Sequence, residues 1–211
     1  MNRRTFKYKR ALGITLALTV FLGGIGLVQR ILDNQANDFG DESVVKVEEK
    51  KEPDTKKEEK TIETLKGPVK DGVGIVRYYY DKDADAAKQE QSLIFFENVY
   101  RPNQGIDYSN KNTAFEVVAS ISGTVTKKTN DPVLGWVVTI SNTDKIATTY
   151  ESLSKVNVEM NQAVKQGDVI GTSGENVYES DLKNHLHFIL QKDGQLYNPE
   201  KYLGQPLNTI K

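Results

Sequence analysis

Apolar positions along this chain follow three regimes. Residues 11–28, ALGITLALTVFLGGIGLV, form an unbroken uncharged run, which as a helix spans roughly 27 Å and just crosses a bilayer core. From 33 to 66 apolar positions thin out, and the stretch DESVVKVEEKKEPDTKKEEKTIETLK mixes acids and bases with no aromatic residue. Such a segment cannot bury enough apolar surface to offset its chain entropy. Beyond residue 67, short alternating runs are punctuated by turn residues: 115–119, 123–128, 135–141, 146–153, 169–172 and 185–191. Each has the period of a strand with one face turned to a core. A further strand, 74–80, is rich in β-branched and aromatic residues, and 81–91 predicts a short helix capped by Asp81 or Asp83.

These elements predict a mainly β fold, an antiparallel sandwich or open barrel, following an N-terminal transmembrane helix and a disordered stalk. The expected organisation is a basic tail at 1–10, a transmembrane helix at 11–32, a charged flexible stalk at 33–66 and an extracytoplasmic domain at 67–211. Arg3, Arg4, Lys7, Lys9 and Arg10 precede the span, which keeps the N-terminus cytoplasmic and exports the remainder. The run is long for the apolar region of a cleaved signal peptide, and no Ala-x-Ala site closely follows it.

Composition narrows the chemistry. The formal net charge is −1, so there is no basic field to favour nucleic acid. The absence of cysteine excludes disulfides, thiolate metal sites and a cysteine nucleophile. Neither a glycine-rich phosphate loop nor a Gly-x-Ser-x-Gly elbow occurs. The two histidines of the chain are His185 and His187; strand alternation places both on one face, where two imidazoles can address one metal ion. With Asp107 they make a possible zinc set with an open fourth position. Two satisfied or surface histidines on one strand are the competing reading.

Seven ordered blocks resemble the LytM/lysostaphin-type zinc endopeptidase family: Gly105-Ile106-Asp107; Gly123-Thr124-Val125; residues 135–140; Tyr150-Glu151-Ser152-Leu153-Ser154; residues 164–174; His185-Leu186-His187-Phe188; and Asn198-Pro199. The resemblance covers about 100–203. It implies that Asp107 and His187 match zinc-ligand positions and His185 a catalytic one. Asn103 stands where the first ligand histidine is expected, and Ser152 where a second catalytic histidine is expected. A neutral amide oxygen is a poor zinc ligand beside imidazole and carboxylate. A lost oxyanion donor typically costs about 10²–10³ in rate. The resemblance therefore implies a metal-free pseudo-enzyme with no catalytic residue, no metal site and no cofactor, zinc remaining only through weak binding at the degenerate site.

Within that family the likeness is to a sporulation branch, through Tyr-Arg-Pro-Asn-Gln-Gly-Ile-Asp-Tyr (100–108), Tyr-Glu-Ser-Leu-Ser (150–154) and Asn-Pro-Glu-Lys-Tyr-Leu (198–203). It implies a membrane-anchored scaffold of endospore formation on the forespore membrane. The implied partner is stage III sporulation protein AH (SpoIIIAH), a mother-cell membrane protein, bound across the intermembrane space in a ring-forming hetero-oligomer that tethers membranes in engulfment and contributes to a channel. Activation of a cell-wall amidase and peptidoglycan binding are alternative expectations. An active endopeptidase cleaving peptidoglycan cross-bridges is disfavoured by Asn103 and Ser152.

Overall fold

The structure is a computed structural model, and it describes residues 62–211. The predicted tail, membrane span and stalk up to residue 61 lie outside the described residues. Among those described, no helix is long and apolar enough to cross a membrane.

The expected β architecture is present. Among the described residues twelve strands form in chain order: β1 (Gly74–Arg77), β2 (Leu93–Phe96), β3 (Val99–Pro102), β4 (Ile106–Ser109), β5 (Glu116–Val118), β6 (Gly123–Asp131), β7 (Gly135–Ser141), β8 (Ile146–Val156), β9 (Ala163–Val164), β10 (Val169–Ser173), β11 (Leu186–Lys192) and β12 (Gln195–Tyr197). The main sheet runs β1-β4-β11-β8-β7-β6-β9, with β12 on β11 and with β10 joining β5 to β8. Its pairings are antiparallel. The β2–β3 hairpin forms a separate two-stranded sheet.

One face of the main sheet builds the core. Ile106, Tyr108, Tyr150, Leu186, Phe188 and Leu190 are buried there with Ile121, Ile140, Ile146 and Ile170. Branched and aromatic side chains suit this pleated surface. Tyr150 and Phe188 pack with ring centroids 5.4 Å apart. The Tyr150 hydroxyl accepts from the Ser120 N–H at 2.7 Å and shares a hydrogen bond with Thr148 Oγ1 at 2.9 Å, so the buried phenol is satisfied.

Two local expectations need correction, and one hairpin has no counterpart among the expected elements. The helix (α1) is Ala86–Gln91, and Asp85 caps it by accepting from the Lys88 N–H at 2.9 Å. Asp81 instead accepts from the Asp83 N–H at 3.0 Å, a local turn that competes with helix initiation. The folded domain also begins before residue 67. Leu65 is 0% exposed, its N–H donates to the Gln205 carbonyl at 2.9 Å, and Glu63 accepts from the Ser122 N–H and hydroxyl. A composition window overlooks one apolar side chain among charges, although that side chain docks the segment. Finally, the β2–β3 hairpin was not predicted. Glu97 and Asn98 at its turn have φ of 50° and 60°, the left-handed pair of a tight hairpin.

Candidate functional site

Antiparallel register assembles the site. Arg77 of β1 lies opposite Asp107 of β4, Asp107 opposite His187 of β11, and His187 opposite Glu151 of β8. Directly opposed residues share a face. Four adjacent strands thus present a row Arg–Asp–His–Glu, on the face away from Tyr108, Leu186, Phe188 and Tyr150. Gly105 lets β4 approach β11 closely: a Cβ there would lie 2.4 Å from the Phe188 carbonyl oxygen. Two members of the row, His187 and Glu151, line a 460 Å³ cleft together with Ile94, Pro102 and Tyr178.

The structure brings Asp107, His185, His187, Asn103 and Ser152 together and adds Glu179. His187 Nδ1 donates to Asp107 Oδ1 at 2.6 Å and lies 3.5 Å from Glu179 Oε1. Arg77 Nη1 lies 3.3 Å from Glu179 Oε1 and 3.8 Å from Asp107 Oδ2, while Nη2 pairs with Asp181. Asn103 points its amide nitrogen inward: Nδ2 donates to Asp107 Oδ2 and to the Tyr78 carbonyl, each at 3.1 Å. Its oxygen faces away, accepting from the Gly105 N–H at 3.2 Å. The residue at the expected ligand position is therefore a donor to the neighbouring carboxylate.

A second network joins this one through Glu179. His185 Nδ1 donates to the Lys183 carbonyl at 2.7 Å, which leaves Nε2 facing Ser152 Oγ at 2.8 Å and Glu179 Oε2 at 3.4 Å. Asn176 Nδ2 donates to Ser152 Oγ at 2.6 Å, and Asn176 Oδ1 accepts from the Glu179 N–H at 2.6 Å. Ser152 sits where β8 changes partners: Glu151 pairs with β11, whereas Leu153 pairs with Ser173 of β10. Its φ of 63° is the left-handed value that accommodates this bend, an uncommon one for a residue with a Cβ.

The electrostatics follow from burial and proximity. Burial opposes a charged His187, but the Glu179 and Asp107 carboxylates outweigh it and hold the imidazole well above its usual range. Burial likewise opposes a charged His185, and the Glu179 hydrogen bond overcomes it. Glu179 is held well below the usual carboxylate range because His187 and His185 offset its desolvation. Asp107 is raised to about 6, first by burial and then by Glu179. The positive groups Arg77 and His187 thus stand directly beside the carboxylates of Glu179 and Asp107, with His185 on the far oxygen of Glu179.

These donors do not fit a zinc ion as arranged. Zinc ligands at about 2.0–2.2 Å in a tetrahedron lie about 3.4 Å from one another. His187 Nδ1 and Asp107 Oδ1 are 2.6 Å apart, a separation suited to a shared proton. Asn103 offers an N–H, and Arg77 brings a permanent positive charge. Sequence reasoning missed Arg77 and Glu179. Strand alternation would place Arg77 on one face of β1, but nothing local shows which face; Glu179 lies in an irregular loop with no pattern at all.

The pattern of Peptidase family M23 matches residues 101–199. A chain in the solved SpoIIQ–SpoIIIAH pore forming complex is 42% identical, superposes with a TM-score of 0.69, and is covered over 97% of its length by 71% of this chain. The chain belongs to peptidase family M23. Among M23-fold relatives it is also similar to stage II sporulation protein Q of Bacillus subtilis (strain 168), 42% identical over 155 residues, which are 72% of this chain and 55% of that protein. It thus spans about half the length of that curated relative. A zinc containing peptidase from Vibrio cholerae shares 21% identity with a TM-score of 0.52, over 64% of this chain and 39% of that one; this likeness is one of fold.

Proposed function

We propose that this chain is a non-catalytic M23-fold scaffold of endospore formation. It is anchored by its N-terminal span in the forespore membrane, with the N-terminus cytoplasmic, and it projects the folded domain into the intermembrane space. There it binds a mother-cell membrane protein resembling SpoIIIAH, tethering the two membranes in engulfment and forming part of a ring-shaped channel. The observation that carries this reading is the 42% identity to a chain solved together with SpoIIIAH, of which 97% is covered. The site supports the non-catalytic half. Its ligand position is an inward-pointing amide, its second catalytic position is Ser152, and Arg77 and His187 supply positive charge beside Asp107 and Glu179.

The test is affinity capture of the full chain from sporulating cells, followed by identification of bound proteins. The expected result is recovery of a SpoIIIAH-like membrane protein. Recovery of a cell-wall amidase, or of peptidoglycan fragments, without such a partner would overturn the proposal in favour of an activator or a wall-binding module. Protease protection of a C-terminal tag in intact cells tests the orientation, and a tag on the cytoplasmic side would contradict it.

A further inference from the structure

The buried cation in the cleft has a role that the lost histidines do not explain. Arg77 is 6% exposed and Glu179 and Asp107 are both 0% exposed. The ligand-type atoms of Asp107, Glu179 and His187 lie within 4.8 Å of one another, and one imidazole with two carboxylates is a donor set that first-row divalent cations accept. Two buried carboxylates so close together cannot both stay ionised without compensating positive charge. In this protein the guanidinium supplies it together with the His187 imidazole, with Nη1 3.3 Å from Glu179 and 3.8 Å from Asp107. A guanidinium carries a full positive charge and offers only donors, so at this place it repels a metal ion and cannot ligate one.

We infer that Arg77 is the resident cation of the cleft. It takes the electrostatic place of a divalent ion between Asp107 and Glu179, and its removal converts Asp107, Glu179 and His187 into a divalent-cation site. The strand register supports a fixed position rather than a chance rotamer, because Arg77 is the residue directly opposite Asp107. The exposed Asp181 carboxylate anchors the other guanidinium nitrogen. Closure to metal then depends on a positive group added to the site as much as on the ligand absent at Asn103. The inference rests on the metal-free half of the proposed function and is independent of the partner.

The test measures zinc and manganese uptake by the full chain after chelation, using equilibrium dialysis with elemental analysis, together with the change in Tm on adding each ion. The variants are Arg77→Met, Arg77→Lys and the double variant R77M/E179Q. Wild type and Arg77→Lys are expected to take up far less than one equivalent and to show no shift. Arg77→Met is expected to take up one equivalent of zinc with a rise in Tm. If it does not fold without metal, zinc restores its folding, read by circular dichroism. Adding Glu179→Gln should weaken this uptake by at least the ~10-fold that losing a metal's outer-shell partner typically costs. Stoichiometric zinc on wild type would overturn both the metal-free reading and this inference. Failure of Arg77→Met to take up zinc, or to recover its fold with it, would overturn the inference alone.

Discussion

The two faces of strands β1, β4, β11 and β8 are held by different physics. On one face Tyr108, Leu186, Phe188 and Tyr150 remove apolar surface from water and need only fit. On the other, Arg77, Asp107, His187 and Glu151 oppose one another strand by strand and must balance in charge and hydrogen bonding. The first face tolerates small rearrangements, because area is non-directional. The second does not, because each unpaired member costs its full desolvation. The proposed metal-free state requires that such a site be rebalanced in charge from within.

Mutations that strip one face at a time sharpen this contrast. The largest loss is expected on the apolar side: Phe188→Ala opens a cavity beside Tyr150 and should lower stability by about 3–5 kcal/mol in chemical denaturation. Glu179→Ala, which removes the counterion of Arg77 and His187, should cost a similar or slightly smaller amount, about 3 kcal/mol. On that face the cost should also depend on pH. Asn103→Ala removes a donor to buried Asp107 and should cost about 1–3 kcal/mol; a gain in stability there would show that the amide is not needed. Lys70→Ala tests the opposite limit. Its pair with Glu116 is exposed, with side chains 63% and 55% accessible, and should contribute less than about 1 kcal/mol.

The pH dependence separates the faces further. His187 has a raised pKa in the folded state, so its contribution is full below its unfolded value near 6.5 and is lost as pH rises through the folded one. Glu179 has a lowered pKa, so its contribution is full above about 4.5 and is lost as pH falls. Asp107, raised to about 6, opposes folding increasingly as pH climbs from its unfolded value to that point. Stability should therefore decline on the alkaline side of neutrality, and His187→Gln should flatten that decline while lowering stability at mildly acid pH. An unchanged alkaline slope in His187→Gln would place the titration elsewhere.

Much of this was legible in the sequence, for reasons specific to each residue. His185 and His187 were found because the two residues of a His-x-His pair share a face on a strand, and Asp107 because it closes the Gly105-Ile106-Asp107 block. Asn103 and Ser152 stood out as departures inside otherwise complete motifs. The β fold was legible because alternating runs recur between turns. Arg77 and Glu179 were hidden because their meaning is non-local: Arg77 acquires its partner from the β1–β4 register, and Glu179 is aimed by Asn176 and the loop before β11. The early start of the domain at Leu65 was hidden in the same way, since its neighbours in sequence are charged and its neighbours in space are not.

The proposal that this cleft is complete without a metal is tested most directly by the Tm of the full wild-type chain at neutral pH, in chelator and then in excess zinc. The same Tm is expected in both. A Tm that falls in chelator and recovers with stoichiometric zinc would contradict it.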